Sequence, residues 1–153
     1  MPSPLDISPV TPYDEIPYIS HPYPHSHPER LAAIARLLGL KPTPVDKCRV
    51  LELGCAAGNN LIPAAEALPG STFLGVDLSE RQIAVGCTTV DELELDNIEL
   101  RHGNIMDVSA DDGQFDYIIV HGIFSWVPHD VQDRILSVCK QNLTPNVVAY
   151  VSY

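Results

Sequence analysis

The run Val50-Leu51-Glu52-Leu53-Gly54-Cys55-Ala56-Ala57-Gly58-Asn59-Asn60 constrains the fold of this chain more than any other. A short apolar segment, Arg49 to Leu53, ends in a bend built almost entirely from glycine and alanine. Leu61, Ala64, Ala65 and Leu68 then recur at helical spacing. A buried strand, a small-residue turn and an amphipathic helix in that order open a strand–helix–strand unit, which implies a parallel sheet. Small residues let a ligand approach the backbone closely, and the start of the helix is expected to offer free N–H groups.

The rest of the chain continues the alternation. Thr72 to Val76 reads as a second strand. Ser79-Glu80-Arg81-Gln82 has the form of a capping box opening a helix to about Glu94, with Ile83, Cys87 and Val90 inward. Ile98 to Arg101 and Phe115 to Val120 read as the third and fourth strands. Pro128 opens another helix with Val131, Ile135 and Val138 on one stripe, and Asn146 turns into a last strand from Val147 to Tyr153. Upstream, residues 28–38 form a short helix carrying Leu31, Ile34, Ala35 and Leu38, capped by Ser26 or His27 and ended by Gly39. Helices therefore cover both faces of the sheet, and a ligand crevice belongs at the strands' carboxyl ends.

Residues 1–27 form a separate N-terminal arm, and residues 28–153 the domain. Eight of the 14 prolines lie in the first 28 residues, with no glycine and no basic residue, so the arm is extended rather than helical. Tyr13, Ile16, Tyr18, Ile19 and Tyr23 give it apolar surface, and we expect it to fold over the ligand site with Tyr18 or Tyr23 at the rim. His21, His25 and His27 lack the ligand geometry of a zinc site, so no metal is expected.

Composition narrows the function. Nine basic against 20 acidic residues give a formal charge of −11, which opposes bulk nucleic-acid binding and adhesion to anionic membranes. Nine of the acids fall in residues 91–116, with Arg101 as the single basic residue there. That reads as a solvated face or a lure for a basic protein. No run of about 20 apolar residues and no secretory leader pattern occurs. The four cysteines, at 48, 55, 87 and 139, form no C-x-x-C pair, which suits reduced thiols in the cytoplasm.

Two features carry chemistry. Asp77 ends the second strand, 23 residues after Gly54, where a carboxylate can accept both hydroxyls of a ribose. The turn itself lacks the Gly-Lys-Ser/Thr of a phosphate-binding loop. It also departs from G-x-G-x-x-G, since positions 56 and 59 are Ala and Asn. His121 falls at the end of the fourth strand, where an imidazole can orient or deprotonate a nucleophile. Phe124 and Trp126 follow at the same rim.

Glu52-x-Gly54-Cys55-Ala56-Ala57-Gly58 with Asp77 resembles the cofactor site of class I S-adenosylmethionine-dependent methyltransferases. The resemblance spans about residues 47–153 and implies an α/β, Rossmann-like sheet with helices on both faces. It implies that Gly54, Cys55, Ala56 and Gly58 lie against the methionine part of S-adenosylmethionine through backbone, with Glu52 facing its amino group. Asp77 would hold the ribose and Leu78 pack on the adenine. Asn104, where the family usually has an acid, would accept from the adenine amino group, and Ile105 would supply the adjoining N–H. His121 would face the reacting methyl group. His21-Pro22-Tyr23-Pro24, His27-Pro28-Glu29-Arg30 and His121-Gly122-Ile123-Phe124-Ser125-Trp126-Val127-Pro128 resemble a bacterial subgroup. Its members carry a methyltransferase regulatory domain after the catalytic one, and some methylate protein lysines.

The family's sheet has seven strands, so this chain is expected to be truncated after the fifth. An uncovered edge around Val147–Val151 is then expected to pair two copies into a homodimer. The methyl acceptor is not legible. Two further readings are a cofactor-binding module that regulates or assembles without catalysis, and a nicotinamide-linked dehydrogenase, which the glycine pattern disfavours.

Overall fold

Residues 21–153 are described by a computed structural model, and the expectations for Tyr13, Ile16, Tyr18 and Ile19 lie outside them. Five strands form one parallel sheet: β1 (Arg49–Leu53), β2 (Thr72–Asp77), β3 (Ile98–His102), β4 (Phe115–Val120) and β5 (Leu143–Val151). Their order across the sheet is β3-β2-β1-β4-β5. The chain thus builds outward from β1 to β3, then returns to β1's other side. The carboxyl ends of β1 and β4 flank that reversal, which is where a crevice opens in sheets of this kind.

Four α-helices flank the sheet among the described residues: α1 (Pro28–Leu37), α2 (Leu61–Ala67), α3 (Glu80–Glu92) and α4 (His129–Asn142). Alternation along the strands divides the core into two layers. Val50, Phe73, Leu100, Tyr117 and Ile119 face α1, α2 and α3 through Leu31, Ala32, Leu61, Ala65, Ile83 and Val90. Leu51, Leu53, Val76, Ile118 and Val120 face α4 through Ile135, Val138 and Cys139. The Ser79 hydroxyl accepts from the Gln82 N–H at 3.2 Å and starts α3 as its sequence predicts. His27, one of two expected caps, holds α1 by accepting from the Glu29 N–H through Nδ1 at 3.4 Å.

Two expectations are corrected and one is extended. The buried face of α1 is Leu31, Ala32 and Ala35, whereas Ile34 and Leu38 are 43% and 75% exposed. Short alanine side chains let this helix lie close against the sheet, and the larger residues flank the contact. In α3, Cys87 faces the core half-buried, and Gly86 joins Ile83 and Val90 as a fully buried residue that the periodicity did not single out. Its missing side chain leaves room for Leu100 and the Ala57 carbonyl. The last strand begins at Leu143, not Val147. Leu143 pairs with Phe115 directly after α4, and the register then shifts, so that Val148 faces Tyr117. Pro145, which has no N–H for a ladder, lies inside that irregular stretch.

Candidate functional site

Three residues of the turn after β1 adopt positive φ: Gly54 (74°), Ala56 (50°) and Gly58 (74°). The turn stays tied to β2, because the Gly54 and Cys55 N–H groups both donate to the Val76 carbonyl, at 2.8 and 3.3 Å. Asp77 tightens it further. Asp77 Oδ2 accepts from the Ala56 N–H at 2.8 Å, and Oδ1 accepts from the Ser79 N–H at 2.9 Å. One carboxylate therefore joins the turn to the start of α3. Each of its oxygens keeps a second lone pair for a ligand hydroxyl.

Free N–H groups were expected at the helix start, and two of them are already engaged within the turn. Leu61 and Ile62 both donate to the Gly58 carbonyl, and the Gly58 N–H donates to the Cys55 carbonyl. What the turn offers first is close approach. Its glycines also serve packing. A Cβ on Gly54 would lie 2.9 Å from Ile123 Cδ1, and one on Gly58 would lie 2.9 Å from Leu100 Cδ1. Ile123 thus stands over the turn from the loop after β4, a role the sequence did not reveal.

Glu52, near the end of β1, is the most unusual group here. It is 3% exposed. Its Oε1 accepts from Asn60 Nδ2 at 2.8 Å, while Oε2 is buried with no hydrogen-bond partner. Burial pushes its carboxyl up to about 8; the Asn60 hydrogen bond opposes this and the nearby Asp77 carboxylate adds to it. A native protein seldom leaves a buried carboxyl oxygen unmatched. A ligand cation at that oxygen would supply the missing partner.

Beyond β4, the His121 ring lies beneath Tyr23, with ring centroids 3.7 Å apart and a 32° tilt. Tyr150 stacks 6.0 Å from it at 11°. His121 Nδ1 is 3.2 Å from Ser152 Oγ, which accepts the Gly122 N–H at 2.8 Å. Desolvation, and then the neighbouring His25, lower the His121 pKa, which favours the neutral ring. No hydrogen bond among the described residues reaches its other nitrogen, Nε2.

The remaining expected site residues divide. Asn104 caps a short turn, its Oδ1 accepting from the Met106 N–H at 2.9 Å, with one lone pair left. Ile105 packs on the α4 side of the core, and Leu78 is 42% exposed beside Asp77. Phe124 packs inward, with its carbonyl held by Gln132 Nε2 at 2.8 Å, whereas Trp126 is 82% exposed. Two residues gain roles that the sequence did not reveal. Asn60 and the fully buried Ser26 join Glu52 to the segment before α1. Asn60 already sat in the turn motif, but its spacing to Glu52 carries no recognisable signal. A separate cleft lined by Arg49, Thr72, Asn97, Arg101 and Asp112 lies at the opposite end of the strands and includes none of these residues.

A parallel sheet in this order, with a close-approach turn, a pinned strand-end carboxylate and an unmatched buried acid, defines an α/β nucleoside-cofactor domain. Comparison with known proteins makes this particular. A family model described as "Methyltransferase domain" matches residues 50–146, and the chain belongs to that family, whose methyl donor is S-adenosylmethionine. An uncharacterised protein of Rickettsia prowazekii (strain Madrid E) is 49% identical over 142 residues, 93% of this chain and 26% of that protein. A second uncharacterised protein of the same strain is 43% identical over 141 residues, 92% of this chain and 56% of its own length. The solved structure of PKMT2 from Rickettsia typhi in complex with AdoHcy superposes with a TM-score of 0.87 at 42% identity. It covers 90% of this chain and 26% of that one. The chain thus spans between about a quarter and just over half of these relatives.

Proposed function

We propose that this domain holds S-adenosylmethionine at the turn after β1 and directs its methyl group to a protein amine. The observation that carries the reading is the unpartnered Glu52 Oε2, buried beside the left-handed turn that Asp77 pins. Glu52 would take the donor's amino group, Gly54 to Gly58 would admit its chain, and Asp77 would accept from the ribose. Leu78 and Ile105 would border the adenine, and Asn104 would offer its remaining lone pair.

When bound, the donor supplies a sulfonium-activated methyl group. The protein's own residues then need only orient the acceptor and exclude water. Neutral His121 is suited to accept a proton from an incoming ammonium through Nε2, with Ser152 and the two tyrosine rings fixing its plane. An amine acceptor is supported by the similarity to PKMT2 and by the acidic surface of residues 91–116, which suits a lysine-rich partner. The resemblance of the segments at 21–30 and 121–128 to proteins with a downstream regulatory domain supports placing this domain beside one.

No described helix is long and apolar enough to cross a membrane. A cytoplasmic setting is part of the proposal. So is pairing of two copies along the outer edge of β5, which light scattering at high concentration tests; a strict monomer opposes it.

A second reading, a binding module without catalysis, is favoured by the cover that Tyr23 places on His121. Incubation with labelled donor and lysine-rich protein separates the two. Methylated product that is lost in His121→Ala, with donor affinity retained, supports catalysis. Tight donor binding with no product on any amine supports the module.

A further inference from the structure

The side chain of Asn60 has only one possible orientation. The Tyr23 backbone N–H can only donate, so the oxygen 2.8 Å away must be Asn60 Oδ1. Its Nδ2 therefore points inward, 2.8 Å from Glu52 Oε1 and 3.0 Å from Ser26 Oγ. Ser26 Oγ donates in turn to the Tyr23 carbonyl at 3.0 Å. One amide thus holds the acid at the end of β1 and Ser26 with its nitrogen, and the Tyr23 backbone with its oxygen. The same segment lays the Tyr23 ring on His121. Chemistry at the two ends of the cradle is linked through a single side chain.

We propose that Asn60 is a positioning residue that couples filling of the Glu52 Oε2 position by a cationic amine to closure of residues 21–27 over His121. A cation at Oε2 leaves Glu52 as a carboxylate, and Oε1 becomes a charge-assisted acceptor for Nδ2. Donating to an anion pushes electron density from the amide nitrogen toward its oxygen, which then holds the Tyr23 N–H more firmly. Linkage makes the effect mutual, so that a closed segment favours the cation by the same factor. Charge-assisted hydrogen bonds are roughly twice as strong as neutral ones, which sets the expected effect at about five-fold. The inference rests on the donor site proposed above, and its test separates the two.

The test measures S-adenosylhomocysteine binding by calorimetry and, on the same samples, hydrogen exchange at the Tyr23 and Ser26 amides. In the unaltered chain, saturating ligand is expected to slow Tyr23 exchange by about five-fold or more. In Asn60→Ala, ligand is expected to bind about five-fold more weakly, and the slowing to disappear at saturation. Glu52→Gln keeps an oxygen for Asn60 Nδ2 but never ionises. Saturating ligand should leave its Tyr23 exchange unchanged, which carries the test if Asn60→Ala does not fold. Equal slowing in the unaltered chain and in either variant overturns the coupling and leaves the donor site standing. Binding without any slowing in the unaltered chain overturns it too. No binding of S-adenosylhomocysteine to the unaltered chain overturns the donor site and the coupling together.

Discussion

Replacing Glu52 by glutamine removes a buried acid whose proton is held far more tightly in the folded chain than in the unfolded one. Burial raises its carboxyl from an ordinary 4.5 to about 8. A raised folded pKa contributes stability that is complete below about 4.5 and is lost as pH rises through about 8. At pH 7 the unfolded acid is ionised and the folded one is protonated. The 2.5 units between 4.5 and 7, at about 1.4 kcal/mol each, make that mismatch cost about 3 kcal/mol. Glutamine is neutral in both states, and its side-chain oxygen can still accept from Asn60. The Glu52→Gln domain should therefore be the more stable by about 3 kcal/mol at pH 7. Its margin should grow by about 1.4 kcal/mol per pH unit between pH 6 and 8 and level off above that. Urea unfolding followed by far-ultraviolet circular dichroism, at several pH values from 6 to 9, measures the margin. A margin that stays constant across this range would show that Glu52 is not held protonated, and would refute the reasoning. Calorimetry should show that the same substitution weakens S-adenosylhomocysteine, a stability gain set against function.

Asp77→Ala strips two charge-assisted hydrogen bonds from the turn and from the start of α3. It should cost about 3 kcal/mol of unfolding free energy, and binding of S-adenosylhomocysteine should fall at least ten-fold. Full affinity would show that Asp77 serves the turn alone. Gly86→Ala would set a Cβ 2.6 Å from the backbone oxygen of Ala57, so α3 must shift away from the cradle. A loss of about 2 kcal/mol in urea is expected, and an unchanged midpoint would contradict the close contact. His121 should titrate below the ordinary imidazole value of 6.5 in proton NMR, because burial and then His25 disfavour its charged form. Tyr23→Ala uncovers the ring and should bring the midpoint back toward that value. An unmoved midpoint would mean that Tyr23 does not shield it.

The sheet and the Gly54–Asp77 pair were legible because they follow from local rules. A small-residue bend after an apolar strand, a helix of 3.6-residue period and an acid at the tip of the next strand need no knowledge of distant contacts. What stayed hidden depends on residues far apart in the chain. Asn60 meets Glu52 eight residues away, but its other partners, Ser26 and Tyr23, lie 34 and 37 residues away. Nothing in the spacing announces them. Periodicity identified α1 with Leu31 and Ala35 on its buried face but missed Ala32, whose apolar signal is weaker than that of the exposed Ile34 and Leu38. Ile123 and Leu100 were invisible as neighbours of the glycines, since a missing side chain does not say what occupies its place. The early start of β5 reflects pairing of Leu143 with Phe115 ahead of Pro145, a tertiary choice made against a local strand breaker.

Whether the cradle between β1 and β2 takes an adenosyl amino acid decides the function of this domain. Isothermal titration of the intact chain with S-adenosylhomocysteine and, separately, with NAD tests this most directly. One-to-one binding of the first, with release of most of one proton from Glu52 at pH 7 and no heat from the second, is the predicted result. Binding of NAD, or silence toward both, would contradict it.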